Sequence, residues 1–173
     1  RYRQRKILTT AGEHSSVSAV ADALKREGFK YETIPTTGGA LDFDALEKLL
    51  TPDVILISAM IVNNETGALY DLARLSQMMK AKCPDAVLHA DATQAFMKIP
   101  FTPHALGADM VTISSHKIEG PKGVGALYCR RGLMLTNLIE GGAQERGKRA
   151  GTENIPGIIS LAAALTEACE NLE

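Results

Sequence analysis

The sequence predicts an α/β protein built on a mainly parallel, partly mixed sheet with helices on both faces. Three observations predict it. Strand-like and helix-like patterns alternate along most of the 173 residues, the signature of βαβ units. The runs "DVILISAMIV" and "AVLHAD" are almost continuously apolar, as strands covered on both faces must be. The last two strand patterns, 109–114 and 124–129, follow one another with no helix between them, so one part of the sheet is predicted to be mixed.

The elements follow in order. Ile7 to Thr10 reads as a short strand. Val17, Val20, Ala21 and Leu24 recur at helical spacing and stop at Gly28. "FKYETIP" is a strand ended by Pro35, and "TTGGALD" is a turn. Asp42 can cap a short helix carrying Phe43, Leu46 and Leu50. "NNETG" breaks the long apolar strand that precedes it, and Asp71 caps a helix with Leu72, Leu75 and Met79, closed by Pro84. "AVLHAD", "DMVTIS" and "VGALYC" are three more strands. The last helix starts near Asn154, holds Pro156 in its first turn, and carries Ile158, Leu161, Leu165 and Leu172. No repeat, linker or low-complexity tract divides the chain.

The bulk numbers exclude several classes. Hydrophobic residues make up 45% and charged residues 23%, with a net charge of −1, ordinary for a globular domain. Acids and bases are interspersed and aromatics are only 5%, which argues against a nucleic-acid surface. No apolar run is long enough to span a membrane. Cys83, Cys129 and Cys169 are odd in number and form no CxxC. That argues against a disulfide framework or a zinc site and for a reducing, cytoplasmic compartment. The chain begins at Arg1 without a starting Met and stops inside a helical pattern, so it reads as a piece of a longer protein.

The polar residues gather where strands end: His14, then Asn63 to Glu65, then Asp91 and Gln94, then Ser114 to Lys117. Open α/β sheets bind ligands outside the carboxyl ends of their strands, so one site fed by four strand ends is predicted. A desolvated lysine amine bonds covalently to a carbonyl, and an acid at another strand end can face a ring nitrogen. That pair is the apparatus that holds pyridoxal phosphate. Ser114 and His116 can donate to its phosphate. Each residue also has a plain reading. Lys117 beside Gly-Pro is an ordinary loop lysine, Asp91 a cap for the next segment, and His14 a polar residue at a helix start. Asn63 and Asn64 are turn formers, and Ser114 and Ser115 close a strand. "GPKGVG" lacks the ending and the following helix of a phosphate loop. His89 and Asp91 share a strand face by simple alternation, without a third metal ligand at suitable spacing.

Five segments carry a resemblance: "EHSSV", "VNNETG", "HADATQ", "SSHKIEGPKGVGALY" and "QERGKRAGTEN". Together, and in this order, they resemble the cysteine desulfurases of the NifS/IscS type, class V, fold-type I pyridoxal-phosphate enzymes. The resemblance covers essentially the whole chain. It implies that Lys117 binds the cofactor covalently and later moves the substrate's α-proton. It implies that Asp91 pairs with the pyridine nitrogen, that His14 stacks on the ring and assists proton transfer, and that Asn64 and Gln94 bond near the phenolic oxygen. Ser114 and His116 would bind the phosphate, and Thr152 would reach the phosphate of the neighbouring subunit in a homodimer. The implied reaction takes sulfur from L-cysteine, leaves L-alanine, and passes the sulfur as a persulfide to an acceptor or scaffold protein for iron–sulfur cluster or thionucleoside assembly.

The family's upstream phosphate-binding segment, its persulfide-forming cysteine on a downstream loop, and its substrate-carboxylate arginine find no match here. The three cysteines read as structural. Residues 1–173 are therefore predicted to be the central part of a large cofactor-binding domain, lacking the N-terminal phosphate segment and the C-terminal small domain, and inactive alone. Two departures stand out: Ser115, where many relatives have Gly, and Glu119, where many have an aromatic residue. The alternatives are another class V enzyme, such as a selenocysteine lyase or an aminotransferase, and a non-catalytic folding or dimerisation module.

Overall fold

The computed structural model describes residues 5–171. Its main sheet has six strands: β1 (Lys6–Thr10), β2 (Lys30–Ile34), β5 (Val54–Met60), β6 (Val87–Asp91), β7 (Met110–Ser114) and β8 (Gly125–Cys129). Their spatial order is β2-β1-β5-β6-β7-β8. The first five are mutually parallel, and β8 runs antiparallel to β7. The mixed, mainly parallel sheet is thus present, with its one reversal where the sequence lacks a connecting helix.

Alternation along the strands divides the sheet into two faces. Leu8, Ile57, Ala59, Leu88 and Ala90 are completely buried against α2 (Phe43–Leu49) and α3 (Leu72–Lys82), with Leu46, Leu75 and Met79 as the fully buried helical counterparts. Asp42 and Asp71 accept from Ala45 N and Arg74 N and so cap these helices as the sequence predicts. On the other face, α1 (Ser15–Arg26) lies over Ile7, Thr9, Leu56 and Ser58. Helices therefore cover both faces. The α5 helix (Ile155–Glu170) is capped by Asn154, whose Oδ1 accepts from Gly157 N. Of its predicted apolar residues, Leu172 lies outside the described residues.

Three features differ from the sequence reading. "TTGGAL" forms a miniature hairpin, β3 (Thr36–Thr37) with β4 (Ala40–Leu41). Gly38 and Gly39 both take positive φ between them, which suits a two-residue hairpin turn. A short helix, α4 (Pro103–Leu106), sits between Thr102, whose hydroxyl caps it, and the left-handed Gly107. Four residues are too few to show periodicity, so it escapes a pattern search. Finally, β7 ends at Ser114 as the sequence predicts, but the stretch beyond it, Ser115–Ile118, forms a 3₁₀ turn that the sequence reading lacks. Lys117 is therefore carried by that turn and is exposed, rather than the desolvated amine that the sequence reading supposes.

The register of β7 is fixed at its start by Asp109. Its buried carboxylate accepts from Arg130 Nε at 2.6 Å and from Leu88 N at 2.9 Å, and its carbonyl accepts from Arg130 N. One residue thereby ties the start of β7 to β6 and to the chain just after β8. At the other end, Gly125 sits opposite Ser114, where an added Cβ would fall 2.5 Å from the Ile113 carbonyl oxygen. Among the described residues no helix is long and apolar enough to cross a membrane.

Asp109→Ala leaves the buried Leu88 N–H without an acceptor and frees Arg130. It is expected to cost about 2–3 kcal/mol of unfolding free energy, measured by urea denaturation at neutral pH.

Candidate functional site

Because β1, β5, β6 and β7 are parallel, their carboxyl ends open onto one edge. A cavity of about 230 Å³ lies there. It is lined by His14, Ser16, Met60, Asn64, Asp91, Thr93, Gln94, Ser114, His116 and Lys117. Seven of the eight predicted site residues share this lining. Thr152 does not: it is exposed, just ahead of α5. A larger cavity of about 560 Å³ runs between residues 96–103 and strands β7 and β8. Its walls are Phe, Met, Ile, Val, Pro, Ala and Tyr side chains with Lys98 the only charged group, so it lacks the converging acid, amine and imidazoles of the smaller one.

Each side chain is placed by local chemistry. Asp91 ends β6, is 6% exposed, and accepts from Thr93 N at 2.9 Å, so the chain turns at once and keeps the carboxylate at the sheet edge. No basic side chain pairs with it among the described residues. Ser114 Oγ and His116 Nδ1 are 2.8 Å apart, which joins the two candidate phosphate donors across the beginning of the 3₁₀ turn. His14 is the N-cap of α1, and its Nδ1 accepts from Ser16 N at 3.2 Å. The neutral ring therefore carries its proton on Nε2. The plain reading of His14 as a polar residue at a helix start is compatible with its place in the cavity. Gln94 Oε1 accepts from Lys98 Nζ at 3.1 Å, which orients the amide.

Behind this lining the sequence reading passed over two residues. Asn63, read there as a turn former, is buried and ties two loops together. Its Nδ2 donates to Gly12 O at 2.9 Å, and its Oδ1 accepts from Glu65 N, Thr66 N and Thr66 Oγ1. It thus fixes both the turn that bears Asn64 and the loop that bears His14. Glu13 Oε1 accepts from Thr10 Oγ1 at 2.5 Å and from Met60 N at 2.8 Å. Its Oε2 is buried and has no hydrogen-bond partner. Burial pushes the Glu13 carboxyl up to about 7, helped by the charge of Asp91 and only partly offset by Thr10 and Met60. The signal for Glu13 in the sequence was a lone acid beside His14 at a strand end, which exposed loops carry routinely.

His89 lies one pair of residues below Asp91 on the same sheet face. Its ring bridges three strands, with Nδ1 2.7 Å from Ser58 Oγ and Nε2 3.1 Å from Thr112 Oγ1. Burial lowers its pKa, so it is held neutral. Ser115 is completely buried, and its hydroxyl fills the space an added Cβ on Gly120 would need. The hydroxyl has no hydrogen-bond partner. Glu119 follows the 3₁₀ turn in the left-handed conformation. Cys83 is buried, donates to Thr51 O, and has its thiol pushed up by burial, the opposite of an activated nucleophile. Cys129 is half-buried and Cys169 exposed.

The model of the family described as Aminotransferase class-V matches residues 2–173. The chain belongs to the class-V aminotransferase family. This class-V chain is 43% identical over 162 residues to cysteine desulfurase 2 of Trichormus variabilis, an alignment that takes in 93% of this chain and 40% of that protein. Among solved structures, a NifS-like protein superposes with a TM-score of 0.93 at 41% identity, covering 98% of this chain and 47% of that one. SspA in complex with cysteine superposes at 0.87 with 32% identity, covering 94% and 47%. The class-V chain therefore spans less than half the length of the relatives it matches, and it has the mixed-sheet fold of NifS-like proteins.

Glu13 gives this class-V site a pH signature. An unfolded Glu titrates near 4.5, whereas the folded one titrates at about 7. Its raised folded value means the stabilisation is complete below pH 4.5, declines as the pH rises toward 7, and is gone above it. Relative to Glu13→Gln, which cannot ionise, the wild type is expected to lose about 2–3 kcal/mol of unfolding free energy from pH 4.5 to 7.5. Urea titrations of both proteins at several pH values measure this, and parallel curves would refute it.

Proposed function

We propose that the strand-end cavity binds pyridoxal phosphate and that the polypeptide bearing it is a cysteine desulfurase. The observation that supports this is the lining itself: a buried acid, a lysine amine, two linked phosphate donors and a histidine meet in one cavity. The donor set fits the group. A pyridinium nitrogen would supply the cationic partner that the buried Asp91 lacks, since a lone buried carboxylate is costly. Ser114 and His116 are already side by side for a phosphate, and the amides of Asn64 and Gln94 suit a phenolic oxygen. When bound, the cofactor supplies a carbonyl for the Lys117 amine and an electron sink that acidifies the substrate's α-carbon.

The chain's own residues then have separate tasks. Asp91 keeps the ring nitrogen protonated. Lys117 holds the cofactor and carries a proton to and from the α-carbon, a role its exposed position on a turn allows. His14, with a proton on Nε2, handles a second proton transfer. The substrate is L-cysteine, which leaves as L-alanine while the sulfur passes to a cysteine thiolate and on to an acceptor or scaffold protein for iron–sulfur cluster or thionucleoside assembly. We assign that thiolate to a segment outside these residues, because Cys83 is buried with a raised pKa and neither Cys129 nor Cys169 lines the strand-end cavity. The 173 residues form the central part of the large domain and are inactive alone. The parent enzyme is a cytoplasmic homodimer in which Thr152 reaches the phosphate held by the other subunit.

Incubation with pyridoxal phosphate, borohydride reduction and peptide mapping is expected to mark Lys117. Marking of another lysine, with Lys117 untouched, would overturn the site. Asp91→Ala is expected to weaken retention of the cofactor at least tenfold, the loss of one charge-assisted bond, as read by its visible absorbance. Sulfide released from cysteine by the 173 residues alone would overturn the assignment of the nucleophile to another segment.

A further inference from the structure

The lining and the cofactor reading leave one half-buried acid, with an enclosed carboxyl oxygen, without a task. Glu13 sits directly before His14 and directly behind the cavity wall. Its Oε1 takes the Met60 amide at 2.8 Å, and Met60 itself lines the cavity. The same oxygen takes the Thr10 hydroxyl at the end of β1. One carboxyl oxygen therefore joins the ends of two adjacent strands and fixes the residue next to His14. The other oxygen, Oε2, is buried without a partner.

The two oxygens call for different protonation. Oε1 accepts two hydrogen bonds, which either form of the acid can do. An ionised Oε2 would be a buried anionic oxygen with no donor, close enough to Asp91 to feel its charge. Tyr70 faces Glu13 from the segment after β5, and its hydroxyl is itself pushed up, by burial first and by Glu13 second. From β6 the facing group is Asp91, and the titratable neighbour on its own loop is the next residue, His14. No basic side chain forms an ion pair with Glu13 among the described residues. An O–H on Oε2 also lacks an acceptor, but a neutral hydroxyl costs far less to bury than an anionic oxygen, so the arrangement favours the acid over the carboxylate. The cheapest relief for a carboxylate is to swing toward solvent, which breaks the bond to Met60 N. Asn63 would then be the remaining side-chain tie between the loop and the turn beyond β5, through Gly12 O.

We propose that Glu13 is a positioning residue that works as a neutral acid, clamping the His14 loop to Met60 at the end of β5, and that loss of its proton opens the clamp and loosens the cofactor. The second half rests on the reading of the cavity as a pyridoxal-phosphate site. The first half does not.

The test uses the full-length polypeptide as wild type, Glu13→Gln and Glu13→Ala, at pH 6 and pH 8. Amide hydrogen exchange, expressed as protection factors, follows Met60 and residues 11–16 without added ligand. In the wild type, protection there is expected to fall about tenfold from pH 6 to pH 8. Glu13→Gln keeps the Oε1 acceptor and cannot ionise, so its protection stays at the wild-type pH 6 level. Glu13→Ala lacks protection at both pH values. Pyridoxal-phosphate affinity, read by absorbance, is expected to weaken several-fold over the same interval in the wild type relative to Glu13→Gln. A purely structural role would lower stability without separating these pH profiles. Superimposable protection profiles for wild type and Glu13→Gln would overturn the clamp, even if Glu13→Ala fails to fold. Separate protection profiles with identical affinity profiles would overturn its link to the cofactor. Separate protection profiles with no cofactor binding by any protein would overturn the cofactor reading and leave the clamp standing.

Discussion

The parallel pairing of β1, β5, β6 and β7 is the constraint on which the site depends. Parallel ladders with matched register bring Thr10, Met60, Asp91 and Ser114 to one edge of the sheet. A slip of one residue would turn Asp91 from the cavity toward the core face occupied by Leu88 and Ala90. Register is therefore a condition for the chemistry as well as for folding. The core face enforces it through five completely buried apolar side chains on three strands. The opposite face enforces it through polar contacts, where His89 reaches Ser58 on one side and Thr112 on the other. Asp109 adds a third restraint at the start of β7.

Strand ends alone do not make a site, because the side chains that line it sit on the loops beyond them. Here two residues hold those loops. Asn63 binds the His14 loop and shapes the Asn64 turn with a single side chain. Glu13 binds the same loop to Met60. Both satisfy backbone groups that would otherwise be left without partners at a buried strand exit. The two sit one layer behind the cavity, where a substitution would act on placement rather than on the reacting groups.

Much of this was legible in the chain itself. The buried strands announced themselves by length and apolarity, and the caps Asp42 and Asp71 by type and position. The clustering of polar residues at strand ends identified seven of the cavity's lining residues. The rest was hidden for physical reasons. The Thr102–Gly107 helix is too short to show a period. The hairpin at Thr36–Leu41 looks like any Gly-Gly turn until its flanks pair. A 3₁₀ turn such as Ser115–Ile118 has no apolar stripe, so nothing local marked a helical turn between the strand end at Ser114 and Lys117. Glu13 could not be told from a surface acid, because much of what encloses its carboxyl, Met60 and Tyr70 among it, is distant in sequence.

By itself the sequence determined the alternation of elements, the mixed edge of the sheet and the chemical types gathered at strand ends, since these depend on local pattern and composition. Only the tertiary structure decided which groups share a cavity, that Lys117 rides on an exposed turn, and that Thr152 stands apart. It also decided that the half-buried Glu13 has one carboxyl oxygen enclosed and unpaired. The reason is the same in each case: proximity, burial and proton affinity are set by residues far away along the chain, and no local pattern carries them.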